Sequence, residues 1–183
     1  MRIAGFSGKL EIMVDPTQDS PGRLWALDFR LQTLDFAPMS AFQHSHRVTY
    51  AECTVGNHIY YARYLDLLEA ARGEFFRHLG TTFLQWQEKD NIFPVVECRL
   101  RYKAPARYDD VLTIEIRVTT AEKVRLNFAC RILNQTGVLI LEAETFHVCT
   151  GLDEKPKRLP EDLRALLKPY VQQGIVGDDV RRL

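Results

Sequence analysis

From Pro94 to Cys149 the chain alternates apolar and polar residues with a period of two, the signature of strands with one buried face. Val96, Cys98, Leu100 and Tyr102 stand against Glu97, Arg99 and Arg101. Leu112, Ile114, Ile116 and Val118 repeat the pattern, and Val124, Leu126, Phe128, Cys130 and Ile132 form a third case. The turn Asn134-Gln135-Thr136-Gly137 leads to a fourth strand from Val138 to about Cys149, apolar at first and mixed afterwards. Upstream the period changes. Ile59, Ala62, Leu65, Leu68, Phe75 and Leu79 recur at helical spacing and predict one long helix over 59–79, stopped by Gly80. Gly73 inside it costs about 1 kcal/mol against alanine, which a close helix-to-sheet crossing would repay.

A short strand is expected from His46 to Cys53, broken at Val55-Gly56-Asn57-His58. Residues 81–90 read as a short helical or irregular link, and Leu159 to Leu167 as a short helix with proline at its start. One long helix and a meander of strands that each offer a single apolar face bury each other when the sheet wraps the helix. The predicted class is therefore α+β, an antiparallel sheet around one long central helix. Residues 1–45 form an N-terminal extension in which two apolar patches, 10–14 and 24–36, flank a turn-rich stretch and suggest an extra hairpin. Residues 46–170 form the domain, and 171–183 a loosely held tail.

Composition narrows the function. Lys plus Arg and Asp plus Glu each number 24, so no net charge draws the chain to nucleic acid or an anionic membrane, and a phosphate must be met locally. Cys53, Cys98, Cys130 and Cys149 are far apart within alternating segments and read as reduced core residues of a cytoplasmic protein. There is no run of roughly 18 apolar residues to span a membrane, and Met1 to Phe6 lack the apolar run of a secretory signal, so export is not expected. Neither metal-ligand spacing nor a glycine-rich phosphate loop occurs, so no metal and no nucleotide cofactor is expected.

Three phrases carry a family resemblance: Arg47-Val48-Thr49-Tyr50 leading into Gly56-Asn57-His58-Ile59-Tyr60-Tyr61-Ala62-Arg63-Tyr64, then Leu68-Glu69-Ala70-Ala71-Arg72, then Tyr102-Lys103-Ala104-Pro105-Ala106-Arg107-Tyr108-Asp109-Asp110. Their order and spacing, with Lys157-Arg158-Leu159-Pro160 at the end, resemble the 4-hydroxybenzoyl-CoA thioesterase branch of the hot-dog superfamily over roughly residues 46–168. The resemblance implies a hot-dog fold and a homodimer or homotetramer whose sheets join edge to edge, with active sites at the interface. It also implies a substrate that is an acyl-CoA or acyl-carrier thioester. CoA or phosphopantetheine then enters as part of the substrate, not as a cofactor.

By position in that motif the Tyr61 N–H is the oxyanion donor, with Gly56 and Tyr60 shaping the approach; free N–H groups and the dipole at a helix start suit that task. The family's aspartate, two residues before the glycine, is here Thr54, and a hydroxyl has no proton-accepting charge at neutral pH. Replacement bases are His58, in an Asn57-His58-Ile59 phrase similar to one of acyl-carrier-protein thioesterases, Glu69 on the helix, and Glu52 if it shares a strand face with Thr54. Against these stand plainer roles: a capping or packed ring for His58, a salt bridge to Arg72 for Glu69, a solvated or interface carboxylate for Glu52. Cys53 falls on the opposite strand face and reads as core. Lys103 and Arg107 lie where the family meets the CoA phosphates, or are simple surface charges.

The leading expectation is an acyl-thioester hydrolase with Thr54 at the acid's place. The alternative is a hot-dog protein that binds acyl thioesters without turnover. A hydratase or dehydratase would need His58 and a partner acid at one substrate carbon.

Overall fold

The computed structural model describes residues 41–171. Five strands form one antiparallel sheet: β1 (Phe42–Arg47), β2 (Val95–Tyr102), β3 (Val111–Glu122), β4 (Arg125–Leu133) and β5 (Leu139–Val148), in the order β1-β3-β4-β5-β2. Helix α1 (Arg63–His78) is the long helix, followed by α2 (Phe83–Glu88), and α3 (Glu161–Leu167) closes the described chain. The register places Leu112, Ile114, Ile116 and Val118 of β3 beside Leu126, Phe128, Cys130 and Ile132 of β4 on one buried face. Tyr64, Leu67, Leu68, Ala71, Phe75 and Phe76 of α1 pack into the same core. Each fully buried Leu or Phe there contributes roughly 2 kcal/mol. This is the α+β arrangement that the alternation predicted, an antiparallel sheet packed on one long helix.

Several boundaries differ for local reasons. The strand expected over 46–53 ends at Arg47. Residues Tyr50–Glu52 curl into a 3-10 turn because the Glu52 carboxylate folds back to accept the Thr49 N–H at 2.6 Å and its hydroxyl at 2.8 Å. Glu52 and Thr54 therefore do not share a strand face. β1 also starts at Phe42 and pairs with β3, so the sheet takes in residues assigned to the extension. The rest of that extension, residues 1–40 with the expected hairpin, and the tail 172–183 lie outside the described residues.

Helix α1 begins at Arg63, four residues later than periodicity suggested. The preceding backbone bonds outward instead: Ile59 N–H donates to Ala106 O and Tyr60 N–H to Glu52 O, each at 2.9 Å. The later start turns Leu65 outward, 42% exposed, and brings in Tyr64, Leu67, Ala71 and Phe76. Gly73 is not at a close crossing, since a Cβ there would meet just the Arg77 guanidinium at 3.5 Å. Cys98 is exposed, not core, on a strand that is a sheet edge among the described residues.

Candidate active site

The segment between β1 and α1 builds a rigid loop. Thr54 N–H donates to His58 O (2.9 Å) and Asn57 N–H to Thr54 O (3.1 Å), with Cys53 and Ile59 bridged beneath. Such a tight reversal needs left-handed backbone, supplied by Gly56 at φ 97° and Asn57 at φ 56°. A side chain at Gly56 would also stand 3.5 Å from the His58 ring. Asn57 latches this loop to the one after β2: its Oδ1 accepts the Tyr108 N–H (3.2 Å), and its carbonyl accepts from Arg107 (3.4 Å).

Within this frame the Tyr61 peptide is held from several sides. Tyr102 donates its hydroxyl to Tyr61 O at 3.0 Å, and the Tyr64 hydroxyl accepts the Ala106 N–H at 3.3 Å. Arg63 N–H donates to Tyr60 O at 2.8 Å. No acceptor among the described residues takes the N–H of Tyr61. A fixed, unpaired N–H just before a helix is what a carbonyl developing negative charge requires. Tyr60 packs against Tyr61 with ring centroids 4.6 Å apart.

His58 is exposed, and its tautomer follows from its neighbours. Nδ1 lies 3.4 Å from Thr54 Oγ1 and 3.5 Å from the carbonyl oxygen of Ile59. A carbonyl only accepts, so Nδ1 carries the proton and Nε2 keeps its lone pair. The Thr54 hydroxyl is free to donate to Val55 O at 3.2 Å. Thr54 thus orients the ring. No carboxylate touches His58 among the described residues, so the histidine-plus-acid pair of a dehydratase is not assembled there.

The fold brings Thr54, Gly56, Asn57, His58, Tyr60, Tyr61 and Arg107 together. It does not bring Glu69, Lys103 or the carboxylate of Glu52 to them; Glu52 meets Tyr60 only through its backbone carbonyl. Glu52 is held by Thr49 and by His46 at 2.9 Å; burial would raise its pKa, but these bonds outweigh burial and lower it. Lys103 pairs at 3.2 Å with Glu142, a carboxylate only 3% exposed. Glu69 is ion-paired with the buried Arg72. Burial, then Glu52 and Asp110, push the Cys53 thiol up, which disfavours its thiolate. No group of three or more His, Cys, Asp or Glu among the described residues is arranged to hold a metal, and no described helix is long and apolar enough to cross a membrane.

A second polar cluster escaped the sequence reading. Arg72 donates to Thr145 Oγ1 (3.3 Å), which lies 3.0 Å from His147 Nε2, while His147 Nδ1 lies 3.0 Å from Phe93 O. The chain runs in one direction: Nδ1–H donates to the carbonyl, and Nε2 accepts from Thr145. With Glu69, Phe83, Phe93 and Phe128, Arg72 and His147 line a cavity of about 320 Å³. The signal was the inward parity of Thr145 and His147 on β5, opposite Phe128 and Leu126.

Burial, foremost, lowers the His147 pKa from 6.5 to about 4; Arg72 adds to the drop, and Phe93 and Glu69 oppose it. A depressed folded-state pKa gives stability that is complete above about pH 6.5 and lost as pH falls toward 4. Between pH 7 and pH 4.5 about 2–3 kcal/mol is expected to disappear. Urea unfolding should show this loss in the native chain and a flatter profile in His147→Gln; equal pH slopes would refute the assignment.

A five-stranded antiparallel sheet packed on one long helix, with a clamped free N–H at the helix entry, defines a hot-dog protein of the acyl-thioester kind. The profile of the Thioesterase-like superfamily matches residues 48–167, and the chain belongs to that family. It is 35% identical over 123 residues to the acyl-CoA thioester hydrolase YbgC of Escherichia coli O6:H1, covering 67% of this chain and 92% of that one. It is 32% identical over 126 residues to the long-chain acyl-CoA thioesterase FadM of Escherichia coli K12, covering 64% and 90%. The solved structure of a hypothetical protein from Thermus thermophilus superimposes with a TM-score of 0.66 at 31% identity, covering 70% of this chain and 98% of that one.

Proposed function

We propose that this chain hydrolyses acyl-CoA thioesters, with the Tyr61 N–H as oxyanion donor and His58 as general base. The observation that carries this is the unpaired Tyr61 N–H, fixed by the Tyr102 hydroxyl and the flanking bonds. The thioester carbonyl oxygen docks on that N–H. His58 Nε2 takes a proton from water as the water oxygen bonds to the carbonyl carbon. The tetrahedral intermediate collapses, the C–S bond breaks, and the sulfur leaves with the proton held by His58. A carboxylic acid and a free thiol result. The relatives named as acyl-CoA hydrolases support CoA as the carrier. The steps use no metal or cofactor.

The site is completed by a second copy of the chain. Among the described residues β2 is an edge with one side unpaired, and Val95, Val96 and Tyr102 along it are 46%, 64% and 45% exposed. An uncovered edge of this kind favours strand pairing with another copy.

A second reading, binding without turnover, is favoured by one observation: Thr54 stands at the acid's place and no carboxylate among the described residues supports His58. Thiol release from short, long and aromatic acyl-CoAs by the purified protein decides between them. Turnover of any member well above the spontaneous rate is expected; saturable binding with no thiol released would establish the second reading.

A further inference from the structure

The hydrolytic steps make no use of the cavity beside Arg72 and His147. Its volume of about 320 Å³ is room for roughly ten non-hydrogen atoms at about 30 Å³ each. The walls are Phe83 from α2, Phe93 from the link into β2, and Leu126 and Phe128 from β4. Water finds few partners there. Both His147 nitrogens are engaged, Nδ1 with Phe93 O and Nε2 with Thr145, and Asn91 Nδ2 donates to Lys89 O at 2.7 Å. An apolar space whose polar lining is already paired suits an organic group better than solvent. Val95, which also lines it, is 46% exposed, so the cavity opens at the surface.

One polar group in the wall keeps donors to offer. Arg72 is only 4% exposed. Its guanidinium donates once to Thr145 Oγ1, at 3.3 Å, and once to Glu69, and its remaining N–H groups meet no acceptor among the described residues. A hydrocarbon lodged here would leave those donors unmet. A carboxylate would meet a different obstacle. Glu69 already neutralises Arg72 and lines the same cavity with its side chain 63% exposed, so a second anion would lose its hydration beside a like charge. An uncharged oxygen accepts from Arg72 without either cost.

We propose that this cavity binds an uncharged, largely apolar group of about ten non-hydrogen atoms whose inner end carries one acceptor oxygen, a ketone, ether or hydroxyl, held by Arg72. Two sources share that chemistry: the far end of an acyl chain, or a free small molecule. The first rests on the thioester reading above and deepens it, and the second stands without it. Glu69 lies six positions past the start of α1, about 9 Å of helix rise, so the cavity is set back from the Tyr61 N–H and receives the tail of an acyl group instead of its thioester.

Three probes of similar size separate the chemistry: acetophenone, ethylbenzene and benzoate, titrated onto the native protein by ligand-observed NMR, a readout that needs no turnover. Acetophenone should bind saturably and about fivefold more tightly than ethylbenzene, the size of one hydrogen bond, with benzoate the weakest. Arg72→Met keeps the apolar stem and should abolish the preference for acetophenone. Val95→Trp, at the exposed mouth and away from the core, should block both neutral probes and leaves the proposal testable if Arg72→Met does not fold. Thiol release from decanoyl-CoA and 9-oxodecanoyl-CoA then identifies the source. Preference for the oxo ester with competition by acetophenone marks an acyl tail; acetophenone binding that leaves thiol release untouched, or binding by a protein that releases no thiol, marks a free ligand. Ethylbenzene and acetophenone within twofold of each other, benzoate the tightest of the three, or probe binding unchanged in Val95→Trp would overturn the proposal.

Discussion

His58→Ala is expected to lower kcat for acyl-CoA hydrolysis about 10²- to 10⁴-fold, the range for loss of a positioned general base. The exposed ring makes no packing contribution that its removal would expose, so melting temperature should change little. The reason for the rate loss is directional. Thr54 and the Ile59 carbonyl fix the proton on Nδ1, which leaves Nε2 as the basic nitrogen on a loop that also positions Tyr61. Thr54→Val should produce a smaller loss, since it removes the orienting oxygen and keeps the imidazole. Thr54→Asp places a carboxylate beside Nδ1 and should restore or raise turnover. If His58→Ala matches the native rate while Thr54→Asp exceeds both, the base is not His58, and the native chain is the binding protein of the second reading.

The strands were legible because β3, β4 and β5 each bury one face, and a period of two is then imposed directly on residue type. β2 broke the rule in an informative way. Its alternation is as clean as that of β3, yet Cys98 is exposed on what is, among the described residues, the sheet's edge. Periodicity reports which face is apolar; it does not report what covers it. The helix start was misplaced because hydrophobic spacing continues through Ile59 and Ala62, while the backbone there bonds sideways to Ala106 and Glu52. Long-range acceptors of that kind leave no local trace.

The candidate site divides along the same line. Gly56 and Asn57 could be read as a turn from residue type alone, because a left-handed pair favours them. Thr54 and His58, four residues apart, meet through that turn. Glu69 and Lys103 looked equally suitable as charges, and their partners Arg72 and Glu142 remove them from the loop cluster. Arg72 lies three residues from Glu69 on one helix face and was readable; Glu142 lies 39 positions from Lys103 and comes to it through strand pairing. The Thr145–His147 chain sits in the half of β5 where alternation becomes mixed, so its polarity resembled weak strand patterning instead of a buried network.

Tyr61→Pro should cost about 10²- to 10³-fold in kcat, the usual price of one oxyanion donor, while Tyr61→Ala stays close to the native rate. The contrast isolates a backbone atom. Both substitutions remove the phenol ring and its contact with Tyr60, but only proline removes the N–H. That N–H has no acceptor within the described chain, so its removal breaks no internal hydrogen bond. Proline does restrict Tyr60 toward extended backbone, and the Tyr60 carbonyl accepts the Arg63 N–H at 2.8 Å. An amide-to-ester replacement at position 61 avoids that restriction, since it exchanges the N–H for oxygen and keeps the side chain. The ester form should lose activity to the same degree with an unchanged melting temperature. If it turns over at the native rate, the carbonyl oxygen is stabilised elsewhere, and the clamp built by Tyr102 and Tyr64 serves only to join the helix entry to the sheet.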